Sequence, residues 1–309
     1  MPTADRSRIA VLPAGVRTFL GDAVVAGTGE LSEPGDAVAL VWTVTAAAEA
    51  LDRVLKDHPN LRWVQLPWAG VEPYTDVIRA HADRTWTCGK GVYAEPVAEH
   101  ALALALAGLR GLAHYARTTS WTGQRGHNLL GARVTIVGGG GIAESLLRLL
   151  GPFECDVTVV RRTPRPMAGA SSVVEHDRLD EALTGAEVVV LALPLLPDTV
   201  GLIARQRLKL LAPDACLVNV ARGQHVVTAD VVEALRDGTL GSAGLDVTDP
   251  EPLPDGHPLW TLPSAIVTPH TANTEEMALP LLSARITDNV RRWIAGEPLV
   301  GLVDPVAGY

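Results

Sequence analysis

The stretch Val134-Thr135-Ile136-Val137-Gly138-Gly139-Gly140-Gly141-Ile142-Ala143 decides how the rest of the chain is read. Its first four residues are all β-branched and mostly apolar, which suits a strand buried on both faces. Gly138, Gly140 and Ala143 then occupy the three marked positions of G-x-G-x-x-G/A. Gly138 allows a tight turn, Gly140 lets the backbone approach a pyrophosphate, and Ala143 lets helix pack closely on strand. Gly141 and Ile142 open the helix that follows, where unpaired N–H groups and the helix dipole attract an anion. A strand before and a helix after give the motif its context, and the turn is expected to bind a dinucleotide.

About 20 residues on, at the end of the next strand, such turns place an acidic residue on the ribose 2′-hydroxyl of NAD. Here Val157–Val160 is followed by Arg161, Arg162 and Thr163. A carboxylate would repel a 2′-phosphate, whereas two guanidiniums and a hydroxyl would hold one. The expected cofactor is therefore NADP(H) in preference, with NAD(H) possible.

Around this centre the chain alternates short apolar runs with helical patterns. Ala132–Val137, Val157–Val160, Val188–Leu193, Cys216–Val220, Gly244–Val247 and Ala265–Val267 read as six strands, the size of a full doubly wound fold. Upstream, Arg8–Leu12, Ala37–Val44 and Leu61–Leu66 read as buried strands, and Ala46–Lys56 reads as an amphipathic helix. The 309 residues are enough for two domains. The fold class expected is α/β, with two Rossmann-like doubly wound parallel-sheet domains and a cleft between them. Glu95-Pro96 opens a long helix rich in Ala and Leu, with Pro early, where its missing N–H costs nothing. That helix, buried nearly all round, is a candidate domain or subunit interface.

Composition narrows the partners. With 26 Lys plus Arg against 35 Asp plus Glu, the formal charge is −9, and no basic block occurs, so a nucleic-acid partner is not expected. The most apolar helical stretch, Val97–Ala113, contains Glu99, His100 and Arg110, and the opening apolar run is five residues; neither suits a membrane span or a signal peptide. Cys88, Cys155 and Cys216 are scattered, which fits a reducing compartment, and a cytoplasmic protein is expected. No His/Asp/Glu cluster has metal spacing, so no metal is expected. His100 reads as a packing or surface ion-pair residue, and His225 receives no role.

Three segments at late strand ends carry chemistry. Val218-Asn219-Val220-Ala221-Arg222-Gly223 ends in a cation, Asp249-Pro250-Glu251-Pro252 follows Asp246, and Thr268-Pro269-His270 supplies an imidazole. One cation, one carboxylate and one imidazole past strand ends can converge. In this order, with Gly70-Val71-Glu72 upstream and Leu193-Pro194-Leu195 between, the sequence resembles the D-isomer-specific 2-hydroxyacid dehydrogenases, which include glyoxylate/hydroxypyruvate reductases.

The resemblance implies a domain layout in which 1–94 plus 280–309 form the substrate domain and 95–279 the dinucleotide-binding one. It implies that Arg222 clamps the substrate carboxylate and that Glu251 and His270 form the acid–base pair. It also implies that Asp246 faces the nicotinamide carboxamide, that Leu193 and Pro194 lie on the cofactor side, and that Ala69, Gly70 and Val71 offer N–H donors to the substrate. Trp68 could wall the substrate pocket. The expected partners are a small 2-oxo acid and a second copy of the chain in a homodimer, with Trp121 a candidate for reaching that partner. Glu72 stands where the family often has Asp. Glu251 is a carboxylate where formate dehydrogenases carry an amide, which disfavours formate. Two other readings remain open: a non-catalytic cofactor-sensing interaction protein, and a dehydrogenase of another substrate such as phosphite or a bulky 2-oxo acid.

Overall fold

The computed structural model describes residues 5–45 and 47–306. The chain divides into two compact units, one running to Tyr93 and resuming at Thr274, the other spanning Ala94–Asn273.

The first unit holds a five-stranded sheet of β1 (Arg8–Leu12), β2 (Glu30–Leu31), β3 (Ala39–Trp42), β4 (Trp63–Gln65) and β5 (Thr85–Thr87). All pairs are parallel, in the order β2-β1-β3-β4-β5, the arrangement of flavodoxin-like doubly wound sheets. Three of these strands were expected. The other two escaped because β2 is an exposed two-residue edge and β5 offers only Thr-Trp-Thr, too little to show a period. Helices α1 (Phe19–Ala26), α2 (Ala48–Asp57) and α3 (Thr75–Ala80) connect them. The expected start of α2 at Ala46 lies outside the described residues.

The second unit begins with α4 (Ala94–Leu109) and α5 (Leu112–Arg117) and continues with β6 (Arg133–Val137), α6 (Gly141–Leu150), β7 (Asp156–Val160), β8 (Ser172–Val174), α7 (Leu179–Leu183), β9 (Val188–Leu191), α8 (Arg205–Leu208), β10 (Cys216–Asn219), α9 (Thr228–Asp237), β11 (Ser242–Leu245) and β12 (Ala265–Val267). Its seven strands are parallel in the order β12-β11-β10-β9-β6-β7-β8. Counted from β6, that is the dinucleotide-fold order 3-2-1-4-5-6 with a seventh strand at the far edge. The short edge strand β8 is the one sequence periodicity missed. Runs such as Val188-Val189-Val190-Leu191 are buried on both faces, as parallel strands covered by helices must be. One apolar cluster, including Leu183, Leu208, Leu217 and Val231, fills one side of the sheet. The other side is filled by Ala98, Ala101, Leu104, Ile136, Leu146 and Val190.

The last helix, α10 (Glu275–Ala295), returns to the first unit. Leu282, Ile286 and Val290 recur every four residues and pack with Ile9, Leu20, Val41 and Trp63. Thr274 caps its first turn by accepting the Met277 N–H, and Gly296 at φ 72° ends it.

Candidate active site

Both sheets present their strand carboxyl ends to connecting loops, and Trp68–Val71, Gly138, Arg161, Leu193, Arg222, Asp246, Glu251 and His270 sit on such loops. At the end of β6 the chain turns at Gly138, whose φ is +114°, and a side chain there would overlap the carbonyl of Ala192 beyond β9. Gly140 is the N-cap of α6, with nothing within 4 Å of where its Cβ would be, so the space above the helix N-terminus is open. The first N–H groups of α6, starting at Gly141 and Ile142, have no helical acceptor and point into that space. Arg161, directly after β7, lies across Gly139, where an added Cβ would meet the Arg161 Cδ at 2.8 Å. The Nη1 of Arg161 is buried with no hydrogen-bond partner. A buried guanidinium nitrogen left open beside a helix N-terminus fits a phosphate-bearing dinucleotide. Arg162 and Thr163 follow on the exposed surface, and Leu193 and Pro194 leave β9 beside Gly138.

A second cluster lies past β10, β11 and β12. The His270 Nδ1 donates to Glu251 Oε1 at 2.7 Å, and both side chains are about half exposed. With the Nδ1 proton given to Glu251, the ring nitrogen left for a reactant is Nε2. Arg222 follows β10, and its backbone is held by Asn219, which donates to the Arg222 carbonyl at 2.8 Å and accepts the Ala221 N–H at 3.0 Å. The next residue must be glycine, because a Cβ on Gly223 would overlap the Thr248 carbonyl.

His270 itself has φ +51°, a left-handed conformation that non-glycine residues enter at a cost. Asp246 maintains it. The Asp246 carbonyl accepts the His270 N–H at 2.8 Å. Its carboxylate accepts the N–H groups of Thr271 at 2.9 Å and Ala272 at 3.1 Å and the Thr268 hydroxyl at 2.6 Å. Asp246 is only 2% exposed. Burial pushes its pKa up, but bonds from His100, Thr268, Thr271 and Ala272 outweigh that and hold the carboxyl below the ordinary aspartate range.

In the first unit, Trp68, Ala69, Gly70 and Val71 form the loop after β4. Trp68 packs on Tyr93 with ring centres 5.3 Å apart, and the Arg17 guanidinium sits 5.1 Å above the indole. Tyr93 in turn donates to the Pro67 carbonyl at 2.7 Å, and Val71 is buried. Trp68 thus contacts both an aromatic ring and a cation, and its indole Nε1 is buried without a partner.

Two histidines were underestimated in the sequence. His225, expected in a polar turn, is fully buried, with its ring nitrogens 3.0 Å from the Thr199 carbonyl and 3.2 Å from the Leu193 carbonyl. His100, on α4, reaches Thr268 Oγ1 at 3.0 Å and lies 3.5 Å from Asp246. Neither was legible, since the partners lie 26 to 168 residues away in the chain. Asn219, inside an apolar strand, was a signal that could have been used: a lone amide in a buried run needs a partner at the strand end.

Among the described residues no cluster of three or more His, Cys, Asp or Glu could hold a metal, and no helix is long and apolar enough to cross a membrane. A doubly wound sheet with a glycine turn on its first strand and a hydrogen-bonded Glu–His pair past its later strands is consistent with a nicotinamide-dependent dehydrogenase. Residues 101–272, more than half of the chain, match the family model described as D-isomer specific 2-hydroxyacid dehydrogenase, NAD binding domain. The chain belongs to the D-isomer specific 2-hydroxyacid dehydrogenase family and is an oxidoreductase of that family.

It is 30% identical over 294 residues to glyoxylate/hydroxypyruvate reductase A of Serratia proteamaculans, covering 90% of each chain. It is 37% identical over 256 residues to an uncharacterized protein encoded in the proB 3′ region of Corynebacterium melassecola, covering 81% of this chain and 84% of that one. Among solved structures, a D-isomer specific 2-hydroxyacid dehydrogenase from Xanthobacter autotrophicus Py2 in complex with NADPH and MES is similar, with TM-score 0.83 and 28% identity. That match covers 98% of this chain and 99% of the other.

Proposed function

We propose that the protein reduces small 2-oxo acids to D-2-hydroxy acids, with glyoxylate and hydroxypyruvate as the first candidates. The observation that carries this reading is the 2.7 Å Glu251–His270 pair past the same sheet edge as Arg222. Bound NAD(P)H supplies the hydride. The chain's own residues do the rest. Arg222 pairs with the substrate carboxylate and stays charged throughout. As the ketone carbon is reduced, negative charge builds on its oxygen, and His270 donates the Nε2 proton to it. The donating ring is doubly protonated, and Glu251, by accepting from Nδ1, orients it so that Nε2–H faces the ketone oxygen. Ala69, Gly70 and Val71 are the loop residues assigned to the carboxylate, and Trp68, in contact with Tyr93 and Arg17, limits the size of the substrate side chain. Substrate binding is assigned to the first unit and the cofactor to the second. Leu193, Pro194 and Asp246 are assigned to the cofactor side.

For the cofactor, NADPH is preferred over NADH. Arg161, with its buried unpartnered Nη1, is assigned to the 2′-phosphate together with Arg162 and Thr163. The name of the Serratia relative and the NADPH bound in the Xanthobacter structure support both halves of the proposal. The protein is further proposed to act as a cytoplasmic homodimer. Leu112 and Trp121 are exposed, Leu102 and Leu106 of α4 are incompletely covered, and all three cysteines are free. A mass in solution of one chain rather than two would refute the dimer.

The test is loss of reduced-nicotinamide absorbance with NADPH or NADH against glyoxylate, hydroxypyruvate, pyruvate and phenylpyruvate. Turnover of the two smallest acids with NADPH is expected; none with any acid would overturn the proposal. Arg161→Asp combined with Arg162→Ala should shift preference toward NADH. An unchanged NADPH/NADH ratio would remove the 2′-phosphate assignment.

A further inference from the structure

We propose that His100 is a positioning residue for the proton donor, acting through Thr268 and Asp246 on the turn that carries His270. The inference rests on the reading of His270 as proton donor.

The hydrogen-bond directions are determined by proton count. The Thr268 hydroxyl has one proton, and it is given to Asp246 Oδ1 at 2.6 Å, a short, charge-assisted bond. Toward His100, 3.0 Å away, the same oxygen can only accept. His100 therefore carries its proton on Nε2 and donates it to Thr268. This donation polarises the hydroxyl and strengthens its bond to the carboxylate. Asp246 in turn accepts the N–H groups of Thr271 and Ala272, the two residues after His270. The path runs from α4 through β12 and the end of β11 to a left-handed residue, His270 at φ +51°.

A backbone conformation of this kind persists only where its surroundings over-determine it. The carboxylate, 2% exposed, is the acceptor that does so, and His100 is the ring next to it, 3.5 Å from Oδ1. His100 is partly exposed at 23%, so its position is not explained as core filling alone. It touches none of the proposed reacting groups; its effect reaches His270 through the orientation of the turn.

The experiment is steady-state kinetics of the full-length protein with NADPH and its best 2-oxo acid, comparing His100→Leu, His100→Gln, Thr268→Val and His270→Ala. His100→Leu removes the donor while keeping bulk, and should lower kcat about tenfold with the KM for NADPH within about twofold, as expected when a group orienting an acid–base residue is loosened. His100→Gln places an amide N–H near the position of Nε2 and should recover most of that loss. Thr268→Val, which cuts the middle link, should reproduce the effect of His100→Leu. Their combination should lose no more than either alone, because one chain has been broken twice.

Wild-type kcat in His100→Leu, equal loss in Gln and Leu, or additive losses in the combination would each overturn the inference. Should His100→Leu fail to fold, wild-type kcat in Thr268→Val overturns it instead. His270→Ala separates the two levels. If it retains turnover, the proton-donor reading falls and this inference with it. If it is nearly inactive while His100→Leu turns over normally, only the positioning role fails.

Discussion

Two turns at the same sheet edge solve one problem in opposite ways. At Gly138 the chain leaves β6 with φ +114°, and at His270 it leaves β12 with φ +51°. The first turn uses a residue without a side chain, because the Ala192 carbonyl occupies the place of a Cβ. The second must carry an imidazole, so glycine is not available to it. There the backbone strain is held by hydrogen bonds from three successive N–H groups, at His270, Thr271 and Ala272, to the single residue Asp246. A turn that only binds can be encoded locally; a turn that must both bend and react is stabilised from a distance.

The strongest way to break the comparison is at the reacting side chain. His270→Ala should lower kcat by roughly 10²–10⁴-fold, the usual contribution of general acid catalysis, with NADPH binding retained in a fluorescence titration. Turnover near that of the wild type would mean the proton comes from elsewhere.

Gly138→Ala attacks the other turn. Strain at positive φ and overlap with the Ala192 carbonyl together should cost on the order of 3 kcal/mol in urea unfolding. The same variant should bind NADPH weakly. A loss below about 1 kcal/mol would show that β9 can move aside.

Asp246→Asn removes the carboxylate from the His270 turn and should destabilise by about 2 kcal/mol at neutral pH, the range for hydrogen bonds to a charged group. The pH dependence has a definite sign. Because the folded carboxyl is held below its ordinary range, its stabilisation is present at neutral pH and lost as pH falls through the unfolded and then the folded value. The stability difference between wild type and Asp246→Asn should therefore shrink on acidification. A difference independent of pH would argue that the carboxylate charge is not what holds the turn.

The smallest effect sharpens the contrast. His270→Gly should be more stable than His270→Ala by about 1 kcal/mol, since glycine enters the left-handed region without the Cβ clash. Equal stability of the two would mean that the Asp246 bonds, and not the backbone, set the conformation.

Much of the fold is legible in the sequence. The strand–Gly138–helix pattern and the apolar runs of β6, β7, β9, β10, β11 and β12 carry their signal within a short window. The edge strands β2, β5 and β8 did not, because two or three residues cannot display a period and edge positions bury little. At the site, Arg222, Glu251 and His270 stand out as a cation, a carboxylate and an imidazole a few residues past apolar runs, and the resemblance supplied their expected roles. Asn219, His100 and His225 could not be given roles in that way. His100 and His225 act through partners 26 or more residues away, and sequence separation hides such contacts, whereas Asn219 bonds to Ala221 and Arg222 and was a local signal left unused.

The sequence by itself determined the class of the fold, the dinucleotide turn and the family's chemical groups, because these depend on local backbone freedom, burial pattern and residue type. Only the tertiary structure decided which way the groups are held. It brought Thr268, Asp246 and His100 together around the turn of His270, set the Nδ1 proton of that ring on Glu251, and left the Arg161 Nη1 buried without a partner. Hydrogen-bond direction and buried polar satisfaction are properties of three-dimensional neighbours, and the parallel sheet creates those neighbours by aligning the ends of strands distant in the chain.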